Sequence, residues 1–349
     1  MTMKYNQITP ITNDLTKAGW QKIDMKTKPQ GSLGKLEELS VQMCGIQKTL
    51  NPKVNHKASF VFAADHGIAE EGVSAFPKEV TKQMVTNFLN HGAAINVLCD
   101  HNDIDISIID IGIQGEMENP GTLLNEKINH GTQNFALTQA MSAKEAEKAL
   151  EAGAAIFRKK NRVQKIDLIG LGEMGIANTS SATAIIAAAT GVSVADCVGK
   201  GSGIDEQGLR HKQKVIEKAL AFHQPDPGNA FDILCKVGGF EIAGMAGAAL
   251  EAAANESAVV LDGLISTAAG VIAYLINPNV ADYFISGHKS VEKGHVAALK
   301  MLNLQPMLDL NFRLGEGTGA ALTMNIVEAA CRIVNDMASF EEAGVSQKS

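Results

Sequence analysis

The feature that most limits the fold is a repeat of short apolar runs ending in glycine- or acid-bearing turns, each followed by an alanine-rich stretch. Residues 60–64 run into Asp65-His66-Gly67, and residues 104–109 into Asp110-Ile111-Gly112. Residues 166–169 precede Gly170-Leu171-Gly172-Glu173, residues 259–261 precede Asp262-Gly263, and residues 283–285 precede Ser286-Gly287-His288. Nearly continuous apolar runs of this length suit strands buried on both faces of a parallel sheet. Residues 143–160, 180–190, 241–254, 266–276 and 323–338 have good helix propensity. Strand, turn and helix in alternation predict an α/β fold with a mostly parallel sheet. Ligands of such sheets bind beyond the carboxyl ends of the strands. The Gly, Asp, His and Glu residues above fall there.

The N-terminal end differs. Residues 11–25 and 36–50 read as helices joined by Lys28-Pro29-Gln30-Gly31-Ser32-Leu33-Gly34, with no strand pattern. A small helical domain over 1–57, completed by 323–349, is therefore expected beside a large α/β domain over 58–322. Hydrophobic residues make up 45% of the 349 and charged residues 20%, a soluble globular composition. The net charge is −7 and no basic stripe is present, which argues against a nucleic-acid partner. Five scattered cysteines favour reduced thiols and a cytoplasmic location. Residues 1–7 lack the apolar centre of a signal peptide. The apolar stretch 265–276 is shorter than the roughly 20 residues of a membrane span.

One segment concentrates chemistry: Arg313-Leu314-Gly315-Glu316-Gly317-Thr318-Gly319. A carboxylate among glycines, flanked by apolar residues, can be partly desolvated and so suited to accept a proton. A solvated turn before a helix explains the same residues. Gly170-Leu171-Gly172-Glu173-Met174-Gly175 matches a dinucleotide fingerprint, with Asp196 about 20 residues on where a ribose-binding acid belongs. Against that reading, Glu173 would face a pyrophosphate, and residues 192–196 are too short for the strand that the acid should end.

The residues after Met174 suit one phosphate. Gly175, Ile176, Ala177, Asn178, Thr179 and Ser180 offer amides, hydroxyls and free N–H groups at a helix start. Simple capping by Asn178, Thr179 or Ser180 is the other reading. Gly201, Ser202 and Gly203 form a second glycine loop, with Lys212 on a following helix as a phosphate partner or a surface residue. The order is not that of a P-loop. His66 reads as a structural histidine, and Ser290 as a phosphate partner or a helix cap.

Taken together, these segments resemble the nicotinate-nucleotide–dimethylbenzimidazole phosphoribosyltransferase family. The landmarks are Lys28 to Gly34, Ala64-Asp65-His66-Gly67, Glu71-Gly72-Val73, Gly172 to Thr179, Lys236-Val237-Gly238-Gly239-Phe240, Leu261-Asp262-Gly263 and Arg313 to Gly317. The resemblance implies a Rossmann-like sheet domain with a small helical domain, assembled as a homodimer. It implies Glu316 as general base and Glu173 as a second carboxylate near the reacting sugar. Gly175 to Ser180, Gly201 to Gly203, Lys212, Ser290 and Gly317 would hold the mononucleotide. Phe76, Pro77, Met84, Met174 and Leu314 would line the base pocket. The implied substrates are nicotinate mononucleotide and 5,6-dimethylbenzimidazole, with no cofactor and no metal. Some members carry small or polar side chains at the positions of Phe76 and Met84. An NAD-dependent oxidoreductase and a non-catalytic nucleotide-binding protein are the competing classes.

Overall fold

The computed structural model describes residues 7–118 and 121–346. The remaining residues of the expected helical domain, 1–6 and 347–349, lie outside the described residues, as does most of the segment read for a signal peptide. The strands are β1 (Lys57–Ala64), β2 (Asp105–Gly112), β3 (Leu124–Asn125), β4 (Leu168–Met174), β5 (Ala258–Leu261), β6 (Phe284–His288) and β7 (Pro306–Leu308). They form a 7-stranded sheet in the order β3-β2-β1-β4-β5-β6-β7. Every pairing within it is parallel. The strand order reverses between β1 and β4, the switch point at which doubly wound sheets open a ligand crevice.

The apolar runs are central strands for the expected reason: all eight positions of β1 are buried. The helix Phe240–Ala254 covers one face, Gly244 packing on Phe62 and Ile111, and the helix Ala143–Val163 packs on that helix at very short range. A Cβ on Gly153 of the Ala143–Val163 helix would fall on the carbonyl oxygen of Gly244, and one on Gly247 of the Phe240–Ala254 helix on that of Leu150. The opposite face carries the helix Thr318–Asp336, against which Gly170 packs beside Met324 and Ala320. That helix starts at Thr318 rather than at residue 323, so it runs directly out of the glutamate loop.

The helices Asn13–Asp24 and Lys35–Ile46 lie at the end of this long helix. Ile23, Val41 and Val334 form a small buried cluster of their own. The backbone closes the arrangement, with Thr27 N–H donating to Ala338 O at 3.1 Å and Phe340 N–H to Met25 O at 3.0 Å. Among the described residues no helix is long and apolar enough to cross a membrane.

Candidate active site

A cavity of about 730 Å³ opens at the carboxyl ends of β4, β5 and β6. β4 delivers Glu173, its next-to-last residue, opposite Phe62 of β1. The helix Asn178–Thr190 follows, and the residue that precedes it, Ala177, is in the left-handed region at φ 74°. Gly175, Ile176, Ala177, Asn178 and Thr179 line the cavity at this helix start. Gly201, Ser202 and Ser290 line another part of its wall, and Phe76, Met84, Met174 and Leu314 contribute apolar surface.

Five of the expected residues stand elsewhere. Pro77 is exposed beside Phe76, and Gly203 is exposed near the Arg313 guanidinium. Ser180 is fully buried, and its hydroxyl has no hydrogen-bond partner. Gly317 packs on the Gly172 backbone. Lys212 lies behind the wall: it is buried, and its Nζ donates to Thr179 Oγ1 at 2.7 Å. Burial pulls the Lys212 ammonium down to about 8, while nearby Glu292 opposes the fall.

Glu316 is held in an unusual backbone. It has φ 64°, between Gly315 at φ 84° and Gly317 at φ 96°. A left-handed non-glycine residue between two left-handed glycines is a local cost that persists only where the surroundings enforce it. The enforcement is visible: a Cβ on Gly172 would fall on the carbonyl oxygen of Glu316, so only glycine on β4 lets the loop lie this close. Glu316 Oε2 accepts the Ile95 N–H at 3.4 Å, from the first turn of the helix Ala94–His101. Its own N–H donates to Glu173 Oε1 at 3.4 Å. The other Glu173 oxygen accepts from the Asn178 amide.

Both carboxyls hold their protons more tightly than usual. Burial, with the negative charges of Glu241 and Asp262, pushes Glu173 up to about 8, against hydrogen bonds from Asn178 and Glu316 that favour the anion. Glu316 is raised by burial first and by Asp262 as well, with the Ile95 N–H pulling the other way.

The dinucleotide reading fails on geometry. Gly170 and Gly172 lie within β4, where they admit the Thr318–Asp336 helix and the Glu316 loop; they are not a turn open to a pyrophosphate. Asp196 sits in the short helix Val194–Cys197 with its N–H on Ser193 Oγ, not at a strand end. His66 is internal, its ring between Glu241 Oε1 at 2.7 Å and Ser181 Oγ at 3.1 Å.

Asp262, His288, Glu292 and Arg313 also line the cavity and were not among the expected site residues. Glu292 Oε1 accepts the Gly201 N–H at 2.9 Å and so fixes the second glycine loop. His295 fixes Ser290 in turn. Burial pulls its imidazole down to about 3, so it is neutral near pH 7. Its Nδ1 accepts the Ser290 N–H at 3.1 Å, which leaves the proton on Nε2 to donate to Thr267 Oγ1 at 3.0 Å. For Asp262 and His288 the signal was present, because both follow or end the apolar runs of β5 and β6.

A family model described as a phosphoribosyltransferase matches residues 8–345. A nicotinate-nucleotide–dimethylbenzimidazole phosphoribosyltransferase from Chloroflexus aggregans is 48% identical over 348 residues, spanning 100% of this chain and 98% of that one. The chain belongs to this family. A relative of the same name from Geobacter sp. strain M21 is 48% identical over 340 residues, 97% of each chain. The crystal structure of CobT from Thermus thermophilus superimposes with a TM-score of 0.92 at 41% identity, covering 96% of this chain and 100% of that one. The Rossmann-like parallel sheet expected from the family is the sheet observed.

Proposed function

We propose that this chain moves the 5-phosphoribosyl group from nicotinate mononucleotide to 5,6-dimethylbenzimidazole, giving α-ribazole 5′-phosphate and nicotinate. The observation that carries the reading is the Glu316–Glu173 pair, linked through the Glu316 N–H at one cavity wall, with a helix N-terminus and an apolar wall in the same cavity. Full-length relatives bear the name of this activity.

In this reaction a benzimidazole nitrogen bonds to the anomeric carbon as the bond to the pyridinium nitrogen breaks. Nicotinate leaves with a neutral ring nitrogen and needs no proton. The benzimidazole must lose its N–H proton, and Glu316 takes it. General-base catalysis of this kind contributes about 10² to 10⁴-fold. Glu173, protonated at pH 7 in the free chain, becomes the anion as the cationic ring arrives, since positive charge nearby favours the ionised carboxyl. It then faces the positive charge that develops on the sugar. The helix start at Asn178 and Thr179 holds the 5′-phosphate, with Lys212 supplying charge through Thr179. In-line displacement turns the β-nucleotide into the α-product.

The same reading takes residues 1–57 with 323–349 as a small helical domain and 58–322 as the large one. It also takes the protein as a cytoplasmic homodimer. Support for association comes from exposed Phe76 and Leu314 in the cavity lining, with exposed Val291 and Leu310 beside lining residues in sequence. Apolar surface gathered at one rim suits a contact.

Incubation with nicotinate mononucleotide and dimethylbenzimidazole should release nicotinate in step with an α-linked nucleotide, followed by chromatography and proton NMR. A β-linked product would rule out a single in-line displacement. Binding without turnover would leave only a nucleotide-binding protein.

A further inference from the structure

The loop that carries Glu316 is anchored by a second acid on a different strand. Asp262 follows β5 and is buried. Its Oδ1 accepts the Gly319 N–H at 2.6 Å and the Ala320 N–H at 3.1 Å. These are first-turn donors of the helix that starts two residues after Glu316, and a carboxylate at a helix N-terminus meets both the free N–H groups and the helix dipole. The fit is close. A Cβ on Gly319 would stand 2.9 Å from Asp262 Oδ1 and would collide with the His288 ring. Asp262 lines the same cavity as Glu316.

We propose that Asp262 is a positioning residue for the reaction: it pins the first turn of the Thr318–Asp336 helix so that the left-handed Glu316 loop stays in register with the cavity, and its carboxylate, which the helix N–H groups hold, bears on Glu316 from the same cavity lining. The proposal rests on the reading of Glu316 as the general base. Several other groups face this loop. Glu173 accepts the Glu316 N–H, the Ile95 N–H donates to the Glu316 carboxyl, and Arg313 lies in the same loop. His288 stands beside Asp262 in the cavity lining, its Nε2 3.8 Å from Oδ1, and its buried Nδ1 has no hydrogen-bond partner. Glu241 bears on Glu173 rather than on Glu316. Of these, only Asp262 both ties the helix start and adds negative charge beside Glu316, raising its hold on a proton together with burial.

Asp262→Asn keeps an oxygen acceptor for the two N–H groups and removes the charge. Turnover is measured against pH with saturating nicotinate mononucleotide and dimethylbenzimidazole, alongside Glu316→Gln. In Asp262→Asn the acidic limb should move to lower pH by about half a unit or more, because a like charge near a carboxyl raises its pKa and its removal lowers it. Because Asp262 also raises Glu173, the comparison is repeated in a Glu173→Gln background, where the shift that remains acts on Glu316. Asp262→Ala, which removes the acceptor too, should lose at least about tenfold more turnover than Asp262→Asn, as expected for a displaced catalytic group. An acidic limb that stays in place, or moves up, in Asp262→Asn overturns the proposal. If Glu316→Gln keeps wild-type turnover, the base assignment falls and this proposal with it. If Glu316→Gln is inactive and Asp262→Asn matches wild type, only the role of Asp262 falls. Asp262→Ser, which also offers an oxygen to the helix N–H groups without charge, carries the same test should Asp262→Asn fail to show a folding transition.

Discussion

Lys212 offers a sharp test, because its usefulness to the site and its effect on stability should have opposite signs. The side chain is fully buried and its ammonium is depressed from 10.5 to about 8. Each pH unit of depression corresponds to about 1.4 kcal/mol, so keeping the proton on Lys212 in the folded chain at pH 7 costs about 3 kcal/mol relative to the unfolded chain. Its hydrogen bond to Thr179 Oγ1 at 2.7 Å returns only part of that. Lys212→Met is close in shape and carries no charge. It should raise the unfolding free energy at pH 7 by about 2–3 kcal/mol, since replacing a poorly compensated buried charge by an apolar side chain of similar volume stabilises. For a chain of this size that is several degrees in Tm.

The pH dependence fixes the sign. A lysine whose folded-state pKa lies below its unfolded value binds fewer protons folded than unfolded as pH rises from about 8 to 10.5, so its penalty is present at pH 7 and fades across that window. The advantage of Lys212→Met over wild type, measured by chemical denaturation at a series of pH values, should therefore shrink between pH 8 and 10.5. The same variant should bind nicotinate mononucleotide at least about threefold more weakly at pH 7, because Thr179 loses the charged donor behind it. A variant that is less stable than wild type at pH 7 would refute the stability half of the argument, and one that binds the nucleotide as tightly would refute the binding half.

Glu316→Gln should retain nucleotide binding by calorimetry yet lose at least about a hundredfold in turnover, the usual worth of a general base; turnover within a few-fold of wild type would remove it from that role. Because Glu173 sits at about 8, nucleotide binding at pH 7 should release close to one proton that Glu173→Gln does not release, read from binding enthalpies in buffers of different ionisation heat. Equal release in both proteins would show that Glu173 does not change state. Gly153→Ala, far from the cavity lining, should destabilise by about 1–3 kcal/mol or more by forcing apart the Ala143–Val163 and Phe240–Ala254 helices, with turnover of the folded fraction unchanged. An unchanged denaturation midpoint would mean that the helices part freely.

Much of the sheet could be read from the chain because β1, β2, β4, β5 and β6 are buried enough to write themselves as apolar runs. The edge strands could not: β3 spans two residues and β7 three, too few for any periodicity to register. The helices Glu79–Leu89 and Ala94–His101, between the first two strands, were also unforeseen; both are short and the second is only eight residues long. At the site, Glu316 stood out because glycines flank it. Its depth came from Gly172, more than a hundred residues earlier, which a linear reading assigns to a nucleotide fingerprint. Asp262 and His288 were in view at strand ends, but nothing in the linear sequence says that one grips the helix starting at Thr318. Contacts of that separation follow from strand order and crossover geometry.

Glu173, Glu316 and Asp262 line one cavity, and burial alone raises the proton affinity of each. Their partners separate them. Asp262 accepts helix N–H groups at 2.6 and 3.1 Å, which favour its anion. Glu316 has one N–H partner, at 3.4 Å. Glu173 is buried and sits at about 8 despite two donors. Carboxyls pushed to different proton affinities can take different parts in one reaction. A cationic pyridinium entering this cavity lowers all three at once, and most of all the one still protonated at pH 7. Substrate charge thus converts a resting site into one with a full anion facing the sugar, and as the neutral pyridine leaves, that stabilisation passes to the cation developing at the anomeric carbon. The ring cation acts locally, since the carboxylate and 5′-phosphate make nicotinate mononucleotide an anion overall; with the phosphate on the helix start at Asn178 and Thr179 and the ring beside the acids, the neutral benzimidazole should bind more weakly in the absence of the nucleotide than in its presence.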